Sequence, residues 1–342
     1  MLKRISLIFF CLLLIVSVRL NAETIWVADK GVKQLLRVNP DGRREIIKLK
    51  DFLEPQHIRV YQHDGSVWVT DIADIFNHQI IKLSSEGEEL FRLSSFIQLG
   101  DTASDPNDGS FYVVSGMTGA VIKVSSKGEE LFRIRGLYPP DELKRNNCFN
   151  KIQGCHQAYT GANVNFESID AVAVSPIDSS IWVTDTGQLR LLKFNKDGVK
   201  LAQKRGVGLP EHLAVGLDGS CWVNNIESGK IFKVSSDGKT VLAKITGLDK
   251  PIELQISPLD NTCWTTTRTE VLQISSDGLA ILKRVSGFKS LQGISNINPK
   301  DGSFWVADAA LSEVVKISKD GIIIKRINGF KRPRFIDVYW GN

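Results

Sequence analysis

The chain has 342 residues, with 43 Lys and Arg against 38 Asp and Glu and 42% hydrophobic residues. A charged fraction of 24% excludes a multi-pass membrane protein, and the hydrophobic share excludes a disordered tail. Five cysteines in this length exclude a disulfide-dense miniprotein, and 28 Gly against 11 Pro fit a turn-rich globular chain.

Residues 1–22 read as a secretory signal peptide. Lys3 and Arg4 give a basic start, Leu7 to Val18 is apolar apart from Ser17, and Asn21-Ala22 offers a small residue for cleavage before Glu23. The apolar run falls short of the roughly 20 residues a bilayer span needs. No stable membrane span is therefore expected after cleavage, with a retained anchor as the alternative. The expectation is an exported chain, periplasmic or secreted, and a monomer. Loss of Lys3, Arg4 and Arg19 leaves 40 basic against 38 acidic residues, which gives no electrostatic footprint for nucleic acid.

From residue 23 onward the sequence repeats. The pattern apolar-Trp-Val-x-Asp runs through Ile25-Trp26-Val27-Ala28-Asp29, Val67-Trp68-Val69-Thr70-Asp71 and Phe111-Tyr112-Val113-Val114-Ser115. It returns at Ile181-Trp182-Val183-Thr184-Asp185, Cys221-Trp222-Val223-Asn224-Asn225, Cys263-Trp264-Thr265-Thr266-Thr267 and Phe304-Trp305-Val306-Ala307-Asp308. The aromatic positions are 42, 44, 70, 40, 42 and 41 residues apart, so one interval carries an insertion and the rest agree.

Each repeat subdivides alike. A short apolar strand follows a Pro-x-x-Ile-like lead, as in Pro55-Gln56-His57-Ile58, Pro210-Glu211-His212-Leu213 and Pro333-Arg334-Phe335-Ile336. The Trp strand comes next, often after Asp-Gly-Ser, and then a third strand such as Ile80-Ile81-Lys82-Leu83. A turn such as Asp41-Gly42, Asp237-Gly238 or Asp320-Gly321 leads to a fourth strand, with glycine supplying the positive φ of a tight hairpin. Four antiparallel strands in about 42 residues, repeated seven times, predict an all-β fold, a seven-bladed β-propeller over 23–342. The mature chain starts at a Trp strand and ends at Pro333 to Trp340, a leading strand with no Trp strand after it. The C-terminal strand is therefore expected to join the N-terminal blade and close the ring.

These motifs resemble the NHL-repeat and streptogramin-lyase-like propellers over about residues 23–342, the insertion excepted. The resemblance implies that the Pro-x-x-Ile strand is innermost and that its leading loop lies on the ligand-binding face. Those families include metal-dependent lyases and lactonases as well as binding modules. Zinc-dependent amidating lyases and streptogramin lyases carry a motif resembling Pro-His-x-Leu/Ile, whereas here the histidine falls one place later. No catalytic residue is carried over, and the catalytic set is unknown.

Aligning the innermost strands puts Phe335, His57, Asp101, Ala171, His212, Glu253 and Gly293 at one place in each repeat, and such positions converge on the axis of a propeller. Two histidines and two carboxylates near one axis suit a divalent metal such as zinc, manganese or calcium. A carboxylate there could equally serve as a general base, and plain polar lining of a wet channel mouth is the simpler alternative. His57, Asp101, His212 and Glu253 are thus the ligand-binding or metal candidates. The recurring Asp29, Asp71, Asp185 and Asp308, with Ser115, Asn225 and Thr267 in the other repeats, are expected to cap turns.

The long interval places an inserted loop at about 136–167, entering the fourth blade on the same face. Cys148 and Cys155 lie in it, and an exported chain is expected to pair them. Tyr138, Phe149, His156 and Tyr159 are lid candidates. Cys221 and Cys263 replace apolar residues of neighbouring repeats about 10 Å apart, too far for a disulfide, so both are expected to be buried free thiols. Lys82, Lys123, Lys193, Lys233 and Lys316 recur on the third strands and read as solvated positions. The functional expectation is a binding module for a protein, peptide or glycan on the face carrying the insertion. The alternative is a metal-dependent lyase or lactonase at the channel mouth.

Overall fold

The computed structural model describes residues 23–50, 52–72, 77–116, 119–134 and 169–341. The expected signal at 1–22 and the expected inserted loop at 136–167 lie outside the described residues. Cys148, Cys155, Tyr138, Phe149, His156 and Tyr159 lie outside them too. Among the described residues, 28 strands form seven four-stranded antiparallel sheets, the blades of a propeller. Six blades run in sequence order from inside to outside. In the first, the C-terminal strand Pro333–Tyr339 takes the innermost place beside Thr24–Asp29, with Val338 opposite Ile25 and Ile336 opposite Val27. That pairing closes the ring.

The Trp strands are apolar at every position because each is covered on both faces. Side chains alternate along a strand. Trp26 and Ala28 therefore pack with Ile58 and Val60 of the second blade, while Ile25 and Val27 pack with Trp305 and Ala307 of the seventh. All six tryptophans of these strands are at most 1% exposed. Removing one such side chain costs about 3–5 kcal/mol. The outer hairpins seal the same interfaces. Gly238 (φ 78°) brings its turn so close to the fourth blade that a Cβ there would sit 2.7 Å from Ala202 Cβ, so glycine serves both the conformation and the approach.

The expectation of solvated lysines is corrected. Lys82, Lys123, Lys193 and Lys233 are at most 8% exposed. The ammonium of Lys82 stands 5.1 Å above the Trp68 ring, Lys193 5.2 Å above Trp182 and Lys233 5.4 Å above Trp222. Each donates into the next blade: Lys82 Nζ to Ser126 O at 2.8 Å, Lys193 Nζ to Ser236 O at 2.6 Å, Lys233 Nζ to Ser276 O at 2.6 Å. The aliphatic stems lie along apolar surface while the amines tie adjacent blades together. Cys221 and Cys263 are free and buried, and burial pushes both thiols above their ordinary range.

Candidate functional site

Strand pairing registers the inner face residue by residue. Opposite the aromatic of the Trp strand stand Asp337, Arg59, Ala103, Ala173, Ala214 and Gln255 in the first six blades. Two residues earlier, on the same side of the strand, come Phe335, His57, Asp101, Ala171, His212 and Glu253. These six form the upper of two tiers around the axis, at the rim where the leading loops enter. In the seventh blade the place belongs to Gly293, where a Cβ would sit 2.4 Å from Arg334 O. The closing strand leaves no room for a side chain there.

The upper tier sits on irregular backbone. Register breaks fall at Pro55/Ile58, Leu99/Thr102 and Ile169/Val172, and the fifth and sixth innermost strands begin just after the tier residue, at Leu213 and Leu254. The N–H groups thus freed from the ladder find side-chain acceptors on the Trp strand. His57 N donates to Thr70 Oγ1 (3.1 Å), Ala171 N to Thr184 Oγ1 (2.8 Å), His212 N to Asn224 Oδ1 (2.7 Å) and Glu253 N to Thr266 Oγ1 (3.3 Å). Asn224 also donates from Nδ2 to Pro251 O (2.7 Å) and Ile252 O (2.6 Å), which fixes the loop that leads to Glu253. Bulges of this kind aim side chains where a regular strand would not.

Contacts within the tier cross from blade to blade. His57 Nδ1 lies 3.5 Å from Asp101 Oδ1, and His212 Nδ1 lies 4.0 Å from Glu253 Oε1. Phe335 rests on His57 with ring centroids 4.3 Å apart. The four sequence candidates are therefore brought together as two imidazole–carboxylate pairs, with His212 also within electrostatic reach of Asp101. No group of three or more His, Cys, Asp or Glu among the described residues is arranged to hold a metal ion. His78 is buried away from the tier and accepts from Leu99 N at Nδ1 (2.8 Å), while His63 stacks on Tyr61.

The sequence reading missed Arg59. From the lower tier its Nη2 donates to Asp101 Oδ1 (2.8 Å), its Nε to Thr102 O (2.7 Å) and its Nη1 to Ile58 O (2.9 Å). Burial by itself would raise the Asp101 carboxyl, but the Arg59 guanidinium, followed by the His57 imidazole, outweighs it and holds the group at about 2. Asp101 is thus a fixed anion that orients His57. Glu211, beside His212, is pushed above the ordinary carboxylate range by burial. Asp337 was also missed. Its carboxylate accepts from Val60 N (2.8 Å) of the second blade and Asn296 N (3.0 Å) of the seventh, bolting the closing strand to both neighbours, and burial raises its pKa. The available signal was a charged residue opposite the Trp where three other repeats carry alanine.

The recurring aspartates cap turns. Asp29 accepts from Lys331 N and Arg332 N, Asp71 from Leu53 N and Glu54 N, and Asp308 from Lys289 N and Ser290 N. Asn225 and Thr267 accept likewise from Ser228 N and Glu270 N, whereas Ser115 donates to Ile97 O.

No family model matches the chain, and no curated protein matches it significantly. Solved structures do. A functionally unknown protein from Desulfotomaculum acetoxidans DSM 771 superposes with a TM-score of 0.70 at 13% identity, covering 93% of this chain and 99% of that one. A streptogramin B lyase structure gives 0.63 at 15% identity, covering 85% and 89%. A nidogen/laminin complex gives 0.51 at 13% identity, covering 93% and 98%. What they share with this chain is the propeller fold. The fold that the repeats resembled in sequence is the fold observed.

Proposed function

We propose that the chain is an exported binding module that takes a protein, peptide or glycan ligand at the rim carrying the leading loops and the insertion. The observation that supports this reading is the upper tier. Its backbone is pinned by Thr70, Thr184, Asn224 and Thr266, and its polar side chains are held in two preassembled pairs at the axis. A rigid set of donors and acceptors at a ring mouth suits recognition, because little ordering is left to be done on binding. Propellers of this fold include a lyase and a member of a nidogen/laminin complex, so the fold is compatible with both small and macromolecular ligands.

The use made of Asp101 favours binding over a metal-dependent lyase or lactonase. A guanidinium 2.8 Å from Asp101 Oδ1 takes one of the carboxylate's acceptor sites and sets a like charge beside any cation that would bind there. Peptide and glycan arrays probed with the mature chain and with His212→Ala/Glu253→Gln test the reading. Ligands captured by the first and lost by the second support it. Equal capture by both proteins, or metal-dependent opening of lactone or cyclic peptide substrates, overturns it.

A further inference from the structure

The upper tier ends in an unmatched charge. Arg334, next to the tier residue of the closing strand, is half-buried, and its guanidinium lies 4.9 Å from the centroid of the Phe335 ring. It makes no hydrogen bond or ion pair with any described residue. Glu253, Glu54 and the like-charged Arg332 are within electrostatic reach, and neither carboxylate bonds to it. Glu253 faces His212, and Glu54 is held by Lys30 at 3.4 Å and Lys33 at 3.2 Å. Burial works against the charge on Arg334, as expected of a cation with no partner. The contacts run in an unbroken line from Arg334 to Phe335, His57, Asp101 and Arg59. One end is an arginine with its carboxylate in place. The other is an arginine without one.

Resting on the binding function proposed above, we infer that Arg334, stacked on Phe335 at the mouth, is the anchor for a carboxylate of the ligand. A guanidinium half withdrawn from water and without a protein acceptor presents a planar fork that matches a carboxylate with two parallel hydrogen bonds. Glu253 and Glu54 nearby disfavour a dianion such as phosphate and leave a singly charged carboxylate as the matching group.

The test titrates the mature chain with two acid–neutral pairs, N-acetylphenylalanine against its amide and glucuronate against glucose, with inorganic phosphate as a further arm. The His57 imidazole resonances and the melting midpoint are followed. The expected result is a saturable His57 shift and a raised midpoint with an acid but not with its neutral partner. The stronger acid shows whether a chain terminus or a sugar acid is the source. Arg334→Gln should abolish both responses while melting no lower than the parent, and Arg334→Lys should keep only part of them. Equal responses to an acid and its neutral partner overturn the carboxylate assignment and leave the mouth a binding site. Silence toward both acids, a response to phosphate alone, or an acid response surviving in Arg334→Gln also overturns it.

Discussion

Arg59→Met isolates the electrostatic frame of the site. The substitution keeps much of the side-chain length but removes three donors at 2.7–2.9 Å, leaving the Asp101 carboxylate, whose side chain is only 10% exposed, with the His57 and His212 imidazoles as its remaining electrostatic neighbours. Breaking a buried pair from one side costs about 3–5 kcal/mol, and a quarter-exposed arginine places this case at the low end, about 3 kcal/mol. For a chain of this size that is a fall in melting temperature of about 5 °C or more. The sign with pH follows from the same contact. In the parent, Asp101 is held at about 2, so its contribution is intact above the ordinary carboxylate range and is lost as pH falls through about 2. In the variant the guanidinium no longer opposes burial, Asp101 protonates at higher pH, and the penalty shrinks. The cost should therefore be larger at pH 7 than at pH 4. Adding Asp101→Asn should recover part of it, so that the cycle is non-additive. Thermal unfolding of the four proteins at both pH values is the assay. A cost below about 0.5 kcal/mol, the range of ordinary surface changes, would refute the reasoning, as would a cost independent of pH or an additive cycle.

Asn224→Ala removes the acceptor of His212 N and both donors to the Pro251–Ile252 carbonyls. It should cost about 2 kcal/mol in urea unfolding and displace the His212 resonances, whereas Asn224→Asp should lose the two donated bonds alone. Lys233→Met loses the bonds to Ser276 O and Asp218 and the charge over Trp222, and should lower stability by about 1–2 kcal/mol without altering the tier. Asp337→Ala leaves a buried N–H of Val60 and a part-buried N–H of Asn296, on different blades, without an acceptor and should cost about 2 kcal/mol, with Asp337→Asn intermediate. Cys221 and Cys263 should resist thiol reagents in the native protein and react fully in denaturant, since burial disfavours their thiolates.

The architecture was legible because a propeller writes one strand pattern seven times, and the Trp positions alone set the blade count. Ring closure was legible for the same reason, since a leading strand was missing at one end and present at the other. The upper tier could be aligned because the Pro-x-x-Ile lead fixes its register, and Asp101 falls in that register even though its blade departs most from the pattern. The partners of the tier were not legible. Arg59 and Asp337 stand where three other repeats carry alanine, and what each does depends on the neighbouring blade, to which the sequence offers no pointer. The third-strand lysines misled for a related reason. Periodic charge on a strand reads as a solvated edge, but the carbonyl that each amine seeks belongs to the next repeat's hairpin, about 43 residues away.

The most direct test of the account is metal analysis of the purified chain from residue 23 onward after equilibration with zinc, manganese or calcium, beside a His57→Ala/His212→Ala variant. If the imidazoles and carboxylates of the tier are spent on each other and on Arg59, neither protein retains stoichiometric metal. Stoichiometric metal in the parent that disappears in the variant would contradict the account and make the mouth a metal centre.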